Sequence, residues 1–279
     1  MPPARTEHES GIPPSFLIIG GQRCGSSWIH KCLDEHPQVF TAEPKELHFF
    51  NRHFENGVPW YLNHFHPSPD HLAWGEVTPD YIADRESPRL AAEVCPDSKL
   101  VLIMREPIER AYSIYRLKMG TSLSNLTFEE AFRKHPEILE HGLYFEHIKN
   151  WHQYFPPDQL LIMTYDDLLR SDKQTISKIF RHIMVDDQFV PSWIGKPLNT
   201  AILPKLRSRL NSVGLDPLIK AVGRSPIGDM VRRRVKAKKH SADPFCRIGE
   251  STVQELKAYY RKPNNQLREL LKINLDGWS

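Results

Sequence analysis

Two short stretches of this chain place groups suited to holding anions, and a third places groups suited to moving a proton. The first is Gly20-Gly21-Gln22-Arg23-Cys24-Gly25-Ser26-Ser27-Trp28. Glycines and small polar residues let backbone N–H groups converge on one spot, a helix N-terminus adds its positive dipole end, and Arg23 adds a full charge. That chemistry suits the phosphates of a nucleotide. An ordinary tight turn between a strand and a helix is the bland alternative, and one glycine would serve it. The second stretch starts at Arg105 and reaches Ser113, an arginine fork plus a hydroxyl, which suits a phosphate monoester. Taken singly, Arg105 pairing with Glu106 or Glu109 and Ser113 exposed on a helix would be the readier explanation of each. The third is Lys45-Glu46-Leu47-His48-Phe49-Phe50. Glu46 and His48 are two apart, so an extended segment would turn both to one face. The bland alternatives are a Lys45–Glu46 surface pair and a histidine satisfied beside Phe49.

The elements around these stretches are legible from apolar periodicity. Phe16 to Ile19 reads as a buried strand, and Trp28, Ile29, Cys32 and Leu33 recur at helical spacing until His36-Pro37. Lys99 to Met104 is a continuous apolar run with β-branched residues, the mark of a buried parallel strand, and Pro107 then opens a helix. Further strands are expected at Val39-Phe40, from Trp74 to Val77, and from Leu160 to Thr164. Helices are expected between them, and from Ser251 to Leu271 with a break near Pro263. Strands alternating with helices imply an α/β fold, a three-layer sandwich with a central parallel sheet and a P-loop-like phosphate-binding loop, its chemistry at the carboxyl ends of the strands.

A kinase P-loop reads G-x-x-x-x-G-K-[ST]. Gly20 and Gly25 have that separation, but Ser26 stands where the lysine belongs, and the charge falls earlier, at Arg23. The partner strand of an NTPase ends in an acidic residue that helps hold Mg²⁺, whereas this one ends in Arg105. The set is built for more negative charge, and no metal is expected. The four cysteines, Cys24, Cys32, Cys95 and Cys246, form no CxxC pair and no zinc spacing, so reduced thiols and a cytoplasmic setting are expected. A net charge of +3 is too small for a nucleic-acid binder. The apolar run at residues 16–19 is too short for a signal or membrane-spanning segment.

Together the clusters resemble PAPS-dependent sulfotransferases, of the bacterial and Golgi type related to heparan sulfate sulfotransferases. Arg23-Cys24-Gly25-Ser26-Ser27 is similar to that family's 5′-phosphosulfate loop, with Arg23 at the usual lysine position. Arg105 and Ser113 match its 3′-phosphate motif. Residues 45–50 resemble the stretch carrying the catalytic glutamate of the heparan 3-O-sulfotransferases, and Glu76-Val77-Thr78-Pro79-Asp80-Tyr81 resembles their next active-site segment, with Val77 where they carry lysine. Their cysteine-bridged C-terminal loop is absent.

The resemblance implies transfer of a sulfuryl group from PAPS to a hydroxyl or amine of a small-molecule, glycan or lipid acceptor by in-line displacement. Gln22, Arg23, Cys24, Gly25, Ser26, Ser27, Trp28, Arg105 and Ser113 would bind the nucleotide. Arg23 would also steady the leaving group, with Glu46 as base and His48 as its neighbour or substitute. A P-loop-type small-molecule kinase and a non-catalytic nucleotide-binding protein are the alternatives. Residues 1–15 read as a flexible N-terminus, and 16–279 as one domain with a basic helical insertion around 200–245.

Overall fold

The computed structural model describes residues 11–119, 121–123, 125–196, 248–273, 275 and 277–278. Its centre is a five-stranded, all-parallel sheet. The strands are β1 (Phe16–Gly20), β2 (Val39–Thr41), β3 (Ala73–Val77), β4 (Lys99–Met104) and β5 (Leu160–Thr164), in spatial order β2-β3-β1-β4-β5. The chain goes from β1 to the edge strand β2, returns through β3 beside β1, and then crosses to β4 and β5 on the other side, so the carboxyl ends of β1 and β4 lie at a topological switch point, where open α/β sheets form their ligand crevice.

Alternation along the strands sorts side chains to two faces. Leu17, Ile19, Leu100, Leu102 and Met104 enter one core with Phe49, Phe50, Tyr61, Tyr144 and Trp151. Phe16, Ile18, Val101 and Ile103 enter the other with Trp28, Ile29, Cys32 and Leu33 of helix α1 (Ser26–Asp34). Leu100 to Met104 are wholly buried, each worth about 1.5–3 kcal/mol by apolar burial. The second layer's helices include α2 (Phe49–Arg52), α3 (Val58–Leu62), α4 (Ser87–Val94), α5 (Pro107–Lys118), α6 (Phe128–Lys134), α7 (Glu137–Glu140) and α8 (Tyr144–Trp151). After β5 come α9 (Tyr165–Arg170) and α10 (Asp172–His182).

The expected break at Pro263 does not occur. One helix runs from Glu250 to Leu271 with Pro263 inside it. Its buried face, Val253, Leu256, Tyr260 and Leu267, bridges the α5–α7 cluster and the sheet core, and the Tyr260 hydroxyl donates to the Leu139 carbonyl at 2.7 Å. That packing carries the helix past the proline's lost N–H. At the other end, Ser15 is tied to the sheet: its N–H donates to the Trp74 carbonyl at 2.7 Å. The Trp74 indole in turn donates to the Pro13 carbonyl at 2.7 Å. Residues 1–10 and the basic stretch expected around 200–245 lie outside the described residues. Cys24, Cys32 and Cys95 are free and buried. No helix among the described residues is long and apolar enough to cross a membrane.

Candidate active site

All five strands deliver a residue of interest at their carboxyl ends. β1 runs into the loop 21–25, β2 leads to Glu46 and His48, β3 to Thr78 and Asp80, β4 to Arg105 and β5 to Tyr165. The β1 loop leaves the sheet tightly, with the Gly21 N–H donating to the Ile103 carbonyl of β4 at 2.7 Å. Arg23 then adopts a left-handed backbone (φ 66°), and Gly25 follows at φ 98°. Only glycine fits the latter position, because a Cβ there would lie 2.7 Å from Leu168 Cδ2. Gly25 caps α1 without a side-chain hydrogen bond, and the helix has no acid in its first turn. Its N-terminal amides and dipole thus face an anion site that no carboxylate of the helix fills.

Three of the expected nucleotide-binding side chains meet at this point. The Arg23 Nε–H donates to Ser113 Oγ at 3.1 Å, joining the loop to the second turn of α5. One Arg105 N–H donates to the Arg23 carbonyl at 3.4 Å. Arg105 also stacks over the Tyr165 ring, 4.8 Å from its centroid. Its other N–H groups grip Glu109 Oε2 at 2.9 and 3.1 Å, so the pairing weighed against a phosphate role is present. Burial and then the Arg105 charge lower the pKa of Arg23. For Arg105, burial acts to lower the pKa, but the Glu109 carboxylate outweighs it and the net shift is upward. The Arg105 charge is thus felt at Arg23, and an anion carrying more than one charge would relieve the repulsion between the two guanidinium groups.

The other expected loop residues divide. Ser27 is exposed, Ser26 is buried, and the Gln22 amide donates to Asp80 Oδ1. The Trp28 ring is 2% exposed, and its indole N–H donates to the Trp193 carbonyl at 3.1 Å, so its side chain belongs to the core under α1. Cys24 is buried beside the Tyr144 hydroxyl at 3.9 Å, and burial pushes its thiol up to about 11. Tyr144, which the sequence did not single out, also accepts the Arg105 backbone N–H at 3.2 Å and so clips the end of β4 to the loop.

Glu46 and His48 also meet, though not by the expected route. The segment is not extended: Glu46 has φ 67° and His48 φ 53°. Two left-handed residues around Leu47 fold the chain back, leaving His48 Nε2 3.9 Å from Glu46 Oε2. Glu46 also pairs with Lys45. His48 Nδ1 lies 3.2 Å from Asn51 Oδ1, and burial, then the Arg52 charge, lowers the imidazole pKa below its ordinary 6.5. Non-glycine residues in this region cost about 1–3 kcal/mol each and persist where surroundings over-determine them. Among the described residues five non-glycine residues are left-handed, and Arg23, Glu46 and His48, all singled out for chemistry, are three of them. Asp80 links the two halves: it accepts from Gln22 on one side and from Arg52 at 3.0 Å on the other, and the Arg52 N–H bonds the His48 carbonyl at 2.9 Å. Asp80 could have been found from its place two residues after Thr78 in the segment 76–81. Tyr144 and Tyr165 carry no such local signal.

With this geometry, comparison with known proteins gives the class. The sulfotransferase domain family matches residues 13–189, and the chain belongs to that family. It is thus an enzyme of the sulfotransferase class, whose members draw the sulfuryl group from PAPS. More particularly, it is 26% identical over 278 residues to mouse heparan sulfate glucosamine 3-O-sulfotransferase 6, covering 95% of this chain and 73% of that one. It is 32% identical over 186 residues to the human bifunctional heparan sulfate N-deacetylase/N-sulfotransferase 3, covering 58% of this chain and only 21% of that protein. Among solved structures, a sulfotransferase from Alicyclobacillus acidocaldarius superposes with a TM-score of 0.68 at 19% identity, covering 96% of this chain and 99% of that one, and so shares the fold.

Proposed function

We propose that the chain transfers the sulfuryl group of PAPS to a hydroxyl or amine of a small-molecule, glycan or lipid acceptor, with Glu46 as the general base. The observation carrying this reading is that the carboxyl ends of the sheet join an anion site of two arginines and a helix N-terminus to a left-handed segment bearing a carboxylate. The residues fit a nucleotide with phosphates at both ends. The amides of Gly25, Ser26 and Ser27 and the charge of Arg23 suit the 5′ side, and Arg105 with Ser113 suits the 3′-phosphate. Cys24 packs beneath this loop, and Gln22 holds it to Asp80. The Trp28 ring anchors α1 from the core, leaving its contribution to the loop's backbone.

In sulfuryl transfer the acceptor atom bonds to sulfur as the sulfur–oxygen bond to the 5′-phosphate breaks, and the acceptor's proton must leave. Glu46 is exposed enough to meet an acceptor and takes that proton. Arg23 and the loop amides balance the charge that grows on the leaving phosphate. His48, whose lowered pKa favours the neutral imidazole, stands 3.9 Å from Glu46 as its neighbour or its substitute in accepting the proton. An arginine cannot give up a proton, so Arg23 acts by charge alone, unlike a lysine at that position.

The test is turnover of radiolabelled PAPS with a panel of phenols, amino sugars, oligosaccharides and lipid alcohols. Label transfer to one acceptor class is expected, with the Glu46→Gln variant losing it while retaining adenosine 3′,5′-bisphosphate affinity. Full activity in that variant would remove Glu46 as the base. Mg²⁺-dependent ATP consumption would replace the whole reading with a kinase.

A further inference from the structure

Glu76 is a second carboxyl group beside the active site, and the chemistry above does not use it. It sits near the end of β3 with 1% of its surface exposed. A carboxyl group this deep needs partners, and Glu76 has them on both oxygens. Tyr61 donates to Oε1 at 2.7 Å and Tyr81 donates to the same oxygen at 3.0 Å. Thr78 donates to Oε2 at 2.6 Å. The backbone N–H of Leu47 approaches the same carboxyl group and, with the three hydroxyls, works against the upward push that burial gives its pKa. Three hydroxyls, with the Leu47 amide close by, serve both oxygens of the carboxylate.

The Leu47 N–H belongs to the peptide that joins Glu46 to Leu47. Its direction is set by the backbone of Glu46, which is left-handed at φ 67°. A second tie lies three residues on, where the Phe50 N–H donates to the Tyr81 hydroxyl at 3.4 Å. Tyr61 fixes the same stretch by packing: its ring stacks on Phe49 at 4.3 Å and 5° and meets Phe50 edge-on at 5.1 Å. The left-handed pair Glu46 and His48 is thus bracketed by one buried hub of Glu76, Tyr61, Tyr81 and Thr78. The Thr78 N–H itself bonds the Ile18 carbonyl, so the hub is anchored to the central strand β1.

We infer that Glu76 is a positioning residue for sulfuryl transfer: by holding the Glu46–Leu47 peptide and, through Tyr81, the Phe50 amide, it keeps the strained turn that presents Glu46 to the acceptor. This rests on Glu46 being the base. Replacing Glu76 by glutamine substitutes a donor for one of the accepting oxygens. The hydroxyls can turn to suit it, but the Leu47 N–H cannot reverse. The turn then relaxes and the Glu46 carboxylate drifts. A misplacement of about 1 Å costs on the order of 10²-fold in rate.

The experiment is a double-mutant cycle on the full chain with Glu76→Gln, Glu46→Gln and their combination. Each is measured as PAPS conversion to adenosine 3′,5′-bisphosphate with water alone and with the best acceptor of the panel, alongside calorimetric binding of the bisphosphate. Glu76→Gln is expected to lower kcat by about 10²-fold, with bisphosphate affinity within about twofold of the wild type. Added to Glu46→Gln, it is expected to cost almost nothing more, because the group it positions is already gone. Should Glu76→Gln not fold, Tyr81→Phe carries the same cycle, since it removes one donor to Glu76 and the acceptor of the Phe50 N–H. Wild-type turnover in the Glu76 or Tyr81 variant overturns the inference. So do losses that multiply with those of Glu46→Gln or that appear equally in bisphosphate affinity, because these mark a scaffold role only. If Glu46→Gln itself turns over normally, the base assignment fails first, and the cycle reports that separately.

Discussion

The two halves of the site are held in place by different physics. On the side proposed for the nucleotide, Arg23, Arg105 and Ser113 emerge directly from β1, β4 and the second turn of α5, and they bond one another. Their positions follow from a register between adjacent parallel strands, fixed by residues that are wholly buried. On the side proposed for the acceptor, Glu46 and His48 follow the three-residue edge strand β2, in a turn without regular hydrogen bonding. They are placed by long-range contacts with β3 and α3 instead. The first half should tolerate local change and lose affinity in proportion to the charge removed. The second should keep affinity and lose rate.

Predictions that would break or sharpen this contrast can be ordered by size. Glu46→Gln is expected to cut kcat by about 10²–10⁴-fold, the usual worth of a general base, with bisphosphate affinity unchanged in calorimetry. Arg105→Ala should do the reverse. It removes charge-assisted contacts worth about 1.5–3 kcal/mol, which would appear as a rise in the Kd for adenosine 3′,5′-bisphosphate, with kcat at saturating PAPS much less affected. Gly25→Ala imposes a side chain at φ 98° and against Leu168, and should cost about 1–2 kcal/mol of unfolding free energy in urea titrations. Ser113→Ala leaves Arg23 Nε without its partner and should weaken bisphosphate binding by about 0.5–1.5 kcal/mol. Smallest is the pH effect of His48. Burial lowers its pKa from the ordinary value, so imidazole ionisation should add no inflection to the wild-type rate profile between pH 7 and 8, and His48→Asn should show a profile of the same shape there.

The same contrast explains what the sequence disclosed. β4 could be read from Lys99 to Met104 to the residue, because a strand buried on both faces is an unbroken apolar run. The tight loop after β1 was legible as a turn because its glycines are local requirements of that backbone. The acceptor side was only half legible. Glu46 and His48 were named, but an extended segment was expected where two left-handed residues stand, since nothing in their types demands φ above zero. The forces that impose it come from Tyr61 and Tyr81, which lie 11 to 31 residues from their partners Phe49 and Phe50 in that stretch, and from Glu76 behind them. Pro263 gave a false stop for a related reason, because tertiary packing overrode a local helix breaker. Trp28, expected at the nucleotide, is a core side chain, as its spacing with Ile29, Cys32 and Leu33 already suggested.

The central claim is that the paired arginines at the ends of β1 and β4 form a metal-free site for a nucleotide bearing phosphates at its 3′ and 5′ positions. Its most direct test is calorimetric titration of the full chain with adenosine 3′,5′-bisphosphate in EDTA, beside ATP with Mg²⁺. The account predicts saturable binding of the bisphosphate, unchanged by chelation, and a far weaker response to ATP with Mg²⁺. Absence of bisphosphate binding, or tighter binding of ATP that EDTA abolishes, would contradict it.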